Sequence, residues 1–263
     1  MKLKYNDKIH AYWLDGKRCK GMSTLSKVPD DTFSLDQWRK RMVLLGVARK
    51  PELAKQAAAH HDDRDKLNAI AEEALVIAGA SDAANAGTAT HRIIERHILG
   101  EEIILTDDAK LVVANFAQVM ESVGLRPIPE AVEQVVVYPE QRVAGRFDHL
   151  AYRIADDRPV VVDVKTGASA IRYPHATSVQ LAGYANAPLH ATLPIGRDGV
   201  TEEFLPPPEG LDREVGYVVS MTDEGAHVYS VNLKLGWKCL EQIIFPTLNW
   251  RSIPAEKLIK RVG

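Results

Sequence analysis

The chain has 263 residues, 46% apolar and 26% charged, with two cysteines and a formal net charge of −2. At ~100–200 residues per domain that length means one elaborated domain or two small ones, with enough apolar side chains for a sizeable core. Its longest apolar runs, such as Ala74–Ala78, fall far short of the ~20 residues of a membrane span. The opening residues Met1–Asp7 lack a signal peptide's apolar core, which argues against secretion. Cys19 and Cys239 cannot supply a disulfide framework or a four-cysteine metal site, so the expectation is a reduced, cytoplasmic protein without a membrane partner. Charge is uneven: residues 1–66 hold 15 Lys/Arg and 9 Asp/Glu, leaving −8 on the remainder. A basic first quarter could touch a polyanion and an acidic remainder could host metal-binding carboxylates, although charges spread over solvated helix faces explain the same numbers.

In chain order, Ile9–Leu14 and Lys17–Met22 flank Asp15-Gly16 and read as a hairpin. Ser34 can cap a helix through Trp38 to about Leu45, and Pro51 suits the first turn of the next. Asp62 or Asp63 can start a third, with Leu67, Ile70, Ala71, Ala74 and Leu75 as its apolar stripe. A fourth runs from after Ser81 to about Leu99, stopped by Gly100, and a fifth from a Thr106 cap to near Gly124. The pattern then becomes β-rich over Val132–Tyr138, Val143–Ile154 and Val160–Lys165. A helix over about Thr177–Ala187 follows, then a Pro/Gly-rich loop at 188–213. A hairpin of Val215–Met221 and Ala226–Val231 comes next, and a final helix covers about Leu233–Leu248. This order predicts a mixed α/β domain. The division expected is a hairpin and helical elaboration over 1–82 and a core over 83–263.

The segment Pro159–Gly167 is the most informative. Its valines read as a strand buried on both faces, with Asp163 and Lys165 projecting together at its end. Burying that pair is costly unless something binds there, although a strand-end ion pair reaching solvent gives the same pattern. The preceding strand ends Gly145-Arg146-Phe147-Asp148. Asp148 lies ~15 residues before Asp163, a separation suited to neighbouring strands. Alone, Asp148 reads as a turn-forming residue. Two carboxylates converging at strand ends repel each other unless a divalent cation joins them, and hard oxygen ligands favour Mg²⁺ or Mn²⁺. His91 and Glu95 share a helix face four residues apart; Glu95 suits either orienting His91 or pairing with Arg92 or Arg96. Gln180 and Tyr184 also share a face, and by themselves read as the polar edge of an amphipathic helix. His60-His61 beside Asp62-Asp63 imitates a zinc site but reads as a polar helix junction. Asp36–Arg41 sets Trp38 beside Arg39, Lys40 and Arg41, a combination able to stack a base and contact phosphates; the competing reading has Trp38 anchored in the core.

Taken in order, Gly87…His91…Glu95, Gly145-x-x-Asp148, Asp163-x-Lys165-Thr166-Gly167 and Gln180-x-x-x-Tyr184 resemble the RecB-like branch of the PD-(D/E)XK nucleases. The resemblance covers residues 83–187, and the segment around Trp13, Gly21, Ser23-Thr24 and Trp38 is similar to phage-encoded exonucleases of that group. It implies a restriction-endonuclease-like core, a central mixed sheet flanked by helices, and a metal-dependent DNA exonuclease of recombination, repair or phage replication. It makes His91, Asp148 and Asp163 ligands of one or two Mg²⁺ or Mn²⁺ ions, with the Val164 carbonyl and Glu133 as further candidates. Lys165 would position the attacking water, while Gln180 and Tyr184 would face DNA or support the site from behind. Many relatives carry a four-cysteine iron–sulfur cluster; with two cysteines, none is expected here. DNA is the expected partner, together with a recombination or annealing protein, in the host cytoplasm if the chain is phage-encoded. A structure-specific or restriction-type endonuclease, and a nucleic-acid-binding subunit that has lost catalysis, are the alternatives.

Overall fold

The structure is a computed structural model and describes residues 1–80, 82–101, 105–167 and 174–258. The chain is mixed α/β, as its pattern predicts. It divides into two compact units, Met1–Asp30 with Thr90–Gly263, and Asp31–Ala89. The N-terminal hairpin therefore belongs with the sheets rather than with the helices that follow it. Among the described residues no helix is long and apolar enough to cross a membrane, and both cysteines are free.

The larger unit carries three sheets. The first pairs β1 (Leu3–Asn6), β2 (Ala11–Leu14) and β3 (Lys17–Arg18) with β11 (Gly199–Thr201). Asp15 and Gly16 form its turn with positive φ at both positions, the backbone a two-residue hairpin requires. The second runs in the order β10 (Leu189–Ala191), β6 (Val135–Tyr138), β7 (Val143–Arg146), β4 (Lys20–Gly21). The third has the order β13 (Gly225–Asn232), β12 (Val215–Thr222), β9 (Arg158–Thr166), β8 (His149–Arg153), β5 (Leu125–Val132), with β9 and β12 parallel and the other pairs antiparallel.

Strand β9 is buried on both faces, as its valine run requires. Val160, Val162 and Val164 pack with Ile94 of α5 (Asp82–Ile98) and with Phe116 and Met120 of α6 (Asp107–Ser122). Val161 faces the opposite core, with Leu181 and Tyr184 of α7 (Pro174–Ala185) and Leu233 of α8 (Leu233–Cys239). Beyond α8 the chain makes a π-helical turn at Leu240–Ile244 before α9 (Phe245–Arg251), so the expected single terminal helix is interrupted. Caps follow the sequence closely. The Thr106 hydroxyl accepts from the Ala109 N–H, and Gly100 and Gly124 end α5 and α6 with positive φ.

Three β expectations need correction. The run expected over Val132–Tyr138 is the end of β5 and all of β6, broken at Glu133-Gln134. The run expected over Val143–Ile154 is two strands in two different sheets, because the chain leaves β7 at Phe147-Asp148 before entering β8. The stretch expected as a loop at 188–213 contains β10 and β11.

The smaller unit holds α2 (Phe33–Arg49), α3 (Glu52–Ala59), α4 (Arg64–Ile77) and the first half of α5. Thr32, not Ser34, precedes α2, while Asp63 caps α4 by accepting from the Lys66 N–H at 3.0 Å. Trp38 is 37% exposed on α2, with Arg39, Lys40 and Arg41 exposed beside it, so the core-anchor reading of Trp38 does not hold. His61 pairs with its neighbour Asp62 on an open surface, the polar junction expected.

One consequence for stability comes from His190 on β10. Its ring is buried against Phe147, neither ring nitrogen has a hydrogen-bond partner among the described residues, and burial pulls its pKa down to about 4. The unfolded chain, with an ordinary value near ~6.5, therefore takes up this proton first as pH falls. Stability is lost between those two values, by up to about 3 kcal/mol at ~1.36 kcal/mol per unit. Melting curves should show His190→Leu losing less stability than the wild type between pH 7 and 4.5. Identical slopes would remove His190 from the acid response.

Candidate active site

The site forms where β7 gives way to β8. Strands β8 and β9 pair antiparallel with His149 opposite Val162, so the next step of the register sets Asp148 opposite Asp163. The bend at Asp148 is held by backbone: the Glu133 N–H donates to the Asp148 carbonyl at 2.8 Å, and the Phe147 N–H to the Gln134 carbonyl at 3.2 Å. The Val164 N–H donates to Asp148 Oδ2 at 2.6 Å, tying that carboxylate to the end of β9. His91, from α5, brings Nδ1 to 3.4 Å from the same oxygen. Val164 thus enters the site through its backbone N–H.

Asp163 is 2% exposed. Its Oδ2 lies 2.6 Å from Lys165 Nζ, yet that oxygen has no donor in hydrogen-bonding alignment among the described residues. The contact is a short, charge-assisted pairing of a buried carboxylate with an ammonium. Burial pushes the Asp163 carboxyl up to about 6; Lys165 opposes this and Asp148 adds to it. Burial disfavours the Lys165 ammonium, but Asp163 and Asp148 outweigh that and hold its pKa above the usual lysine range. Lys165 thus remains charged at neutral pH. Gly167 closes the strand in the left-handed region, with its N–H on the Met221 carbonyl.

A second pair of carboxylates adjoins the first. Glu133 occupies a positive φ of 52°, an unusual backbone for a non-glycine residue, and its side chain is 15% exposed. Burial raises its pKa well above the usual carboxylate range, with Asp148 and Glu95 adding to this and Arg146 opposing it, and its side chain is hydrogen-bonded to Glu95, whose carboxyl burial raises as well. Glu95 bonds to Glu133 while Arg96 takes Glu101 as its partner, so of the alternatives open for Glu95 the pairing with Arg96 is not the one made. Arg146 was not foreseen. Its guanidinium sits 3.6 Å from Glu133 Oε2 and 4.4 Å over the Tyr5 ring, and it donates to the Pro194 carbonyl. The only sequence signal was its place between Gly145 and Asp148.

Tyr184 is 2% exposed, which excludes it from touching DNA, and accepts from Gln180 Nε2 at 2.9 Å. It supports the site from behind, where Asp163 and Asp148 reinforce the rise that burial gives its hydroxyl pKa. Gly145 is needed at this point: a Cβ there would lie 2.7 Å from Met22 Cβ and 2.9 Å from the Tyr184 ring. Arg39, Lys40 and Arg41 belong to the smaller unit.

Among the described residues no group of three or more His, Cys, Asp or Glu side chains is arranged to hold a metal ion. The donor set nevertheless fits a hard divalent cation. It offers one imidazole, two facing carboxylates and a buried carboxylate oxygen without an aligned donor, and burial has raised the pKa of that carboxyl. No protein-family model and no curated protein sequence matches the chain.

Proposed function

We propose that this chain is a divalent-metal-dependent DNA nuclease that digests from ends, an exonuclease of recombination, repair or phage replication. The observation that carries the reading is the meeting of Asp148, Asp163, Lys165 and His91, from a sheet-crossing bend, a buried strand and a helix, at one point. A structural ion pair accounts for Asp163 with Lys165 but not for a second carboxylate and an imidazole brought to the same place. The RecB-like resemblance names these same four positions.

His91, Asp148 and Asp163 would hold the ion, which when bound supplies a water of lowered pKa and neutralises phosphate charge. Lys165 keeps its proton beside Asp163, and so offers a fixed cation and its remaining N–H donors to a water or to a phosphate oxygen. Glu133, hydrogen-bonded to Glu95, adjoins this set as a further candidate ligand. Gln180 and Tyr184 fix the wall behind Asp163.

The test is digestion of end-labelled linear DNA and closed circular duplex with Mg²⁺ or Mn²⁺. Linear DNA should be degraded and the circle should resist. Efficient nicking of the circle would transfer the site to an endonuclease, and binding without cleavage of either would point to a non-catalytic subunit.

A further inference from the structure

The basic excess of the chain is concentrated on its N-terminal hairpin. Residues 1–27 hold seven Lys/Arg against two Asp/Glu, a charge of +5, whereas the smaller unit at 31–89 holds eight against nine. Among the described residues only Lys2 of those seven cations is in an ion pair, with Glu202. Strand alternation divides the first sheet into two faces. Leu3, Tyr5, Tyr12 and Leu14 turn inward and form a core with Val135, Val137 and Ala144 of the second sheet. Lys4, Trp13 and Arg18 turn outward. Trp13 is the register partner of Lys4 on one side and of Arg18 on the other, and Val200 of β11 is the partner of Lys4. The outer face is therefore a row across four strands: exposed Val200, Lys4 and Arg18, and a half-buried Trp13 that lies outside the core cluster. At ~4.8 Å between strands, a cation stands one strand away on each side of the indole.

We infer that this row is a second binding surface for a single DNA strand, outside the cleavage site, in which Trp13 stacks one base while Lys4 and Arg18 take the phosphates on either side of it. This rests on the nuclease reading above, which supplies DNA as the ligand. Unpaired cations gathered on one sheet of a chain whose net charge is −2 select a polyanion. Among polyanions, an aromatic ring flanked by cations matches a chain in which bases alternate with phosphates, and stacking on such a ring accepts any base. A duplex keeps its base faces against one another, so only a single strand can use Trp13. A lipid surface binds through apolar area that can sink below the headgroups, and a half-buried ring between two cations offers little of it. On the inner face of the same sheet, Tyr5 lies under the Arg146 guanidinium at 4.4 Å, so the sheet that carries the row is seated against a residue adjoining the candidate site. Trp13 points away from that site and touches no scissile phosphate. Its part is to hold the strand.

The experiment measures binding of a labelled oligothymidylate to the full chain by fluorescence anisotropy, in EDTA and over a range of salt, so that binding is read without cleavage. The variants are Lys4→Gln/Arg18→Gln, Trp13→Ala and Trp13→Phe, with the exposed Lys238→Gln as control and melting curves to confirm folding. Each phosphate of a single strand that is neutralised contributes about 0.7 to the slope of log K against log salt, so the double variant should lower that slope by about 1.4. Trp13→Ala should weaken binding by about fivefold or more with the slope unchanged, Trp13→Phe should keep most of the affinity, and the control should match the wild type. The Trp13→Ala loss should vanish on a duplex of the same length; an equal loss there overturns the stacking. The double variant changes exposed side chains alone, so its slope decides the matter even if Trp13→Ala fails to fold. An unchanged slope in the double variant overturns the surface, as does a folded Trp13→Ala protein with wild-type affinity, or a wild type that binds phosphatidylserine vesicles in preference to the oligonucleotide. Cleavage with Mg²⁺ is read separately. A wild type that cleaves while the variants bind like it loses the surface and keeps the nuclease reading. A wild type that binds with the expected dependence but cleaves no DNA loses the nuclease reading and keeps the surface, as a DNA-binding subunit.

Discussion

If the chain is the proposed nuclease, Asp163→Ala and Lys165→Ala should each reduce DNA cleavage by a factor of about 10³ or more, for different reasons that a second measurement separates. Deleting a single preorganised group that meets developing charge commonly costs about 10²–10³ in rate, and losing a metal ligand removes the ion's contribution as well. Asp163 is the buried carboxylate with an oxygen lacking an aligned donor, so its removal should abolish Mn²⁺ binding measured by calorimetry. Lys165 is a cation beside that carboxylate, and its removal should leave Mn²⁺ binding intact or tighter. The two variants should also diverge in stability. Without Lys165, Asp163 is a buried carboxylate deprived of its counter-charge, a situation that costs about 3–5 kcal/mol when the charge cannot be neutralised. Lys165→Ala should therefore melt lower than wild type without metal and recover when Mg²⁺ is added. Equal loss of metal affinity in both variants would remove the separate role of Lys165.

How much of this was legible in the sequence depends on the range of the signal. The valine run with Asp163 and Lys165 reported its own burial, because a strand covered on both faces must be apolar at every position that is not functional. Helix ends were legible because a cap is chemistry between residues three apart, as at Thr106 and Asp63. Strand β5 was hidden by Pro127 and Pro129. Both are tolerated because β5 is the outer strand of its sheet. The break at Asp148 was illegible for a different reason. Alternation along Val143–Arg153 continues through it, and nothing local states that β7 and β8 join different sheets. That break aims Asp148 at Asp163, so the motif was found while the device that assembles it was missed. Arg146 escaped similarly, since its partners Glu133, Tyr5 and Pro194 come from three distant segments.

The seating of α7 depends on a backbone contact that a single methyl group would break. At Gly236 of α8, an added Cβ would lie 2.2 Å from the Ser178 carbonyl oxygen and 2.5 Å from its carbonyl carbon. Neither atom is the end of a flexible side chain, so the two helices must move apart. The same crossing is tied by the Ser178 hydroxyl, which donates to the Asn232 carbonyl at 2.7 Å, just before α8 begins. In an isolated helix Gly→Ala stabilises by about 1 kcal/mol, so propensity alone predicts a more stable protein. Overpacking a tight contact typically costs about 1–3 kcal/mol and more when backbone must shift; here the steric cost wins. Gly236→Ala should destabilise the chain by roughly 2–3 kcal/mol net, which at about 2–4 °C per kcal/mol for a chain of this size lowers Tm by about 4–12 °C. Lys238→Ala, two residues on at an exposed position of the same helix, should leave Tm nearly unchanged and serves as the control. Because α7 also carries Gln180 and Tyr184, the residual folded Gly236→Ala protein should cleave DNA more slowly below its melting temperature. A Tm for Gly236→Ala equal to or above that of the control would show that α8 and α7 are not in backbone contact at this crossing, and would detach the support of Tyr184 from the C-terminal helix.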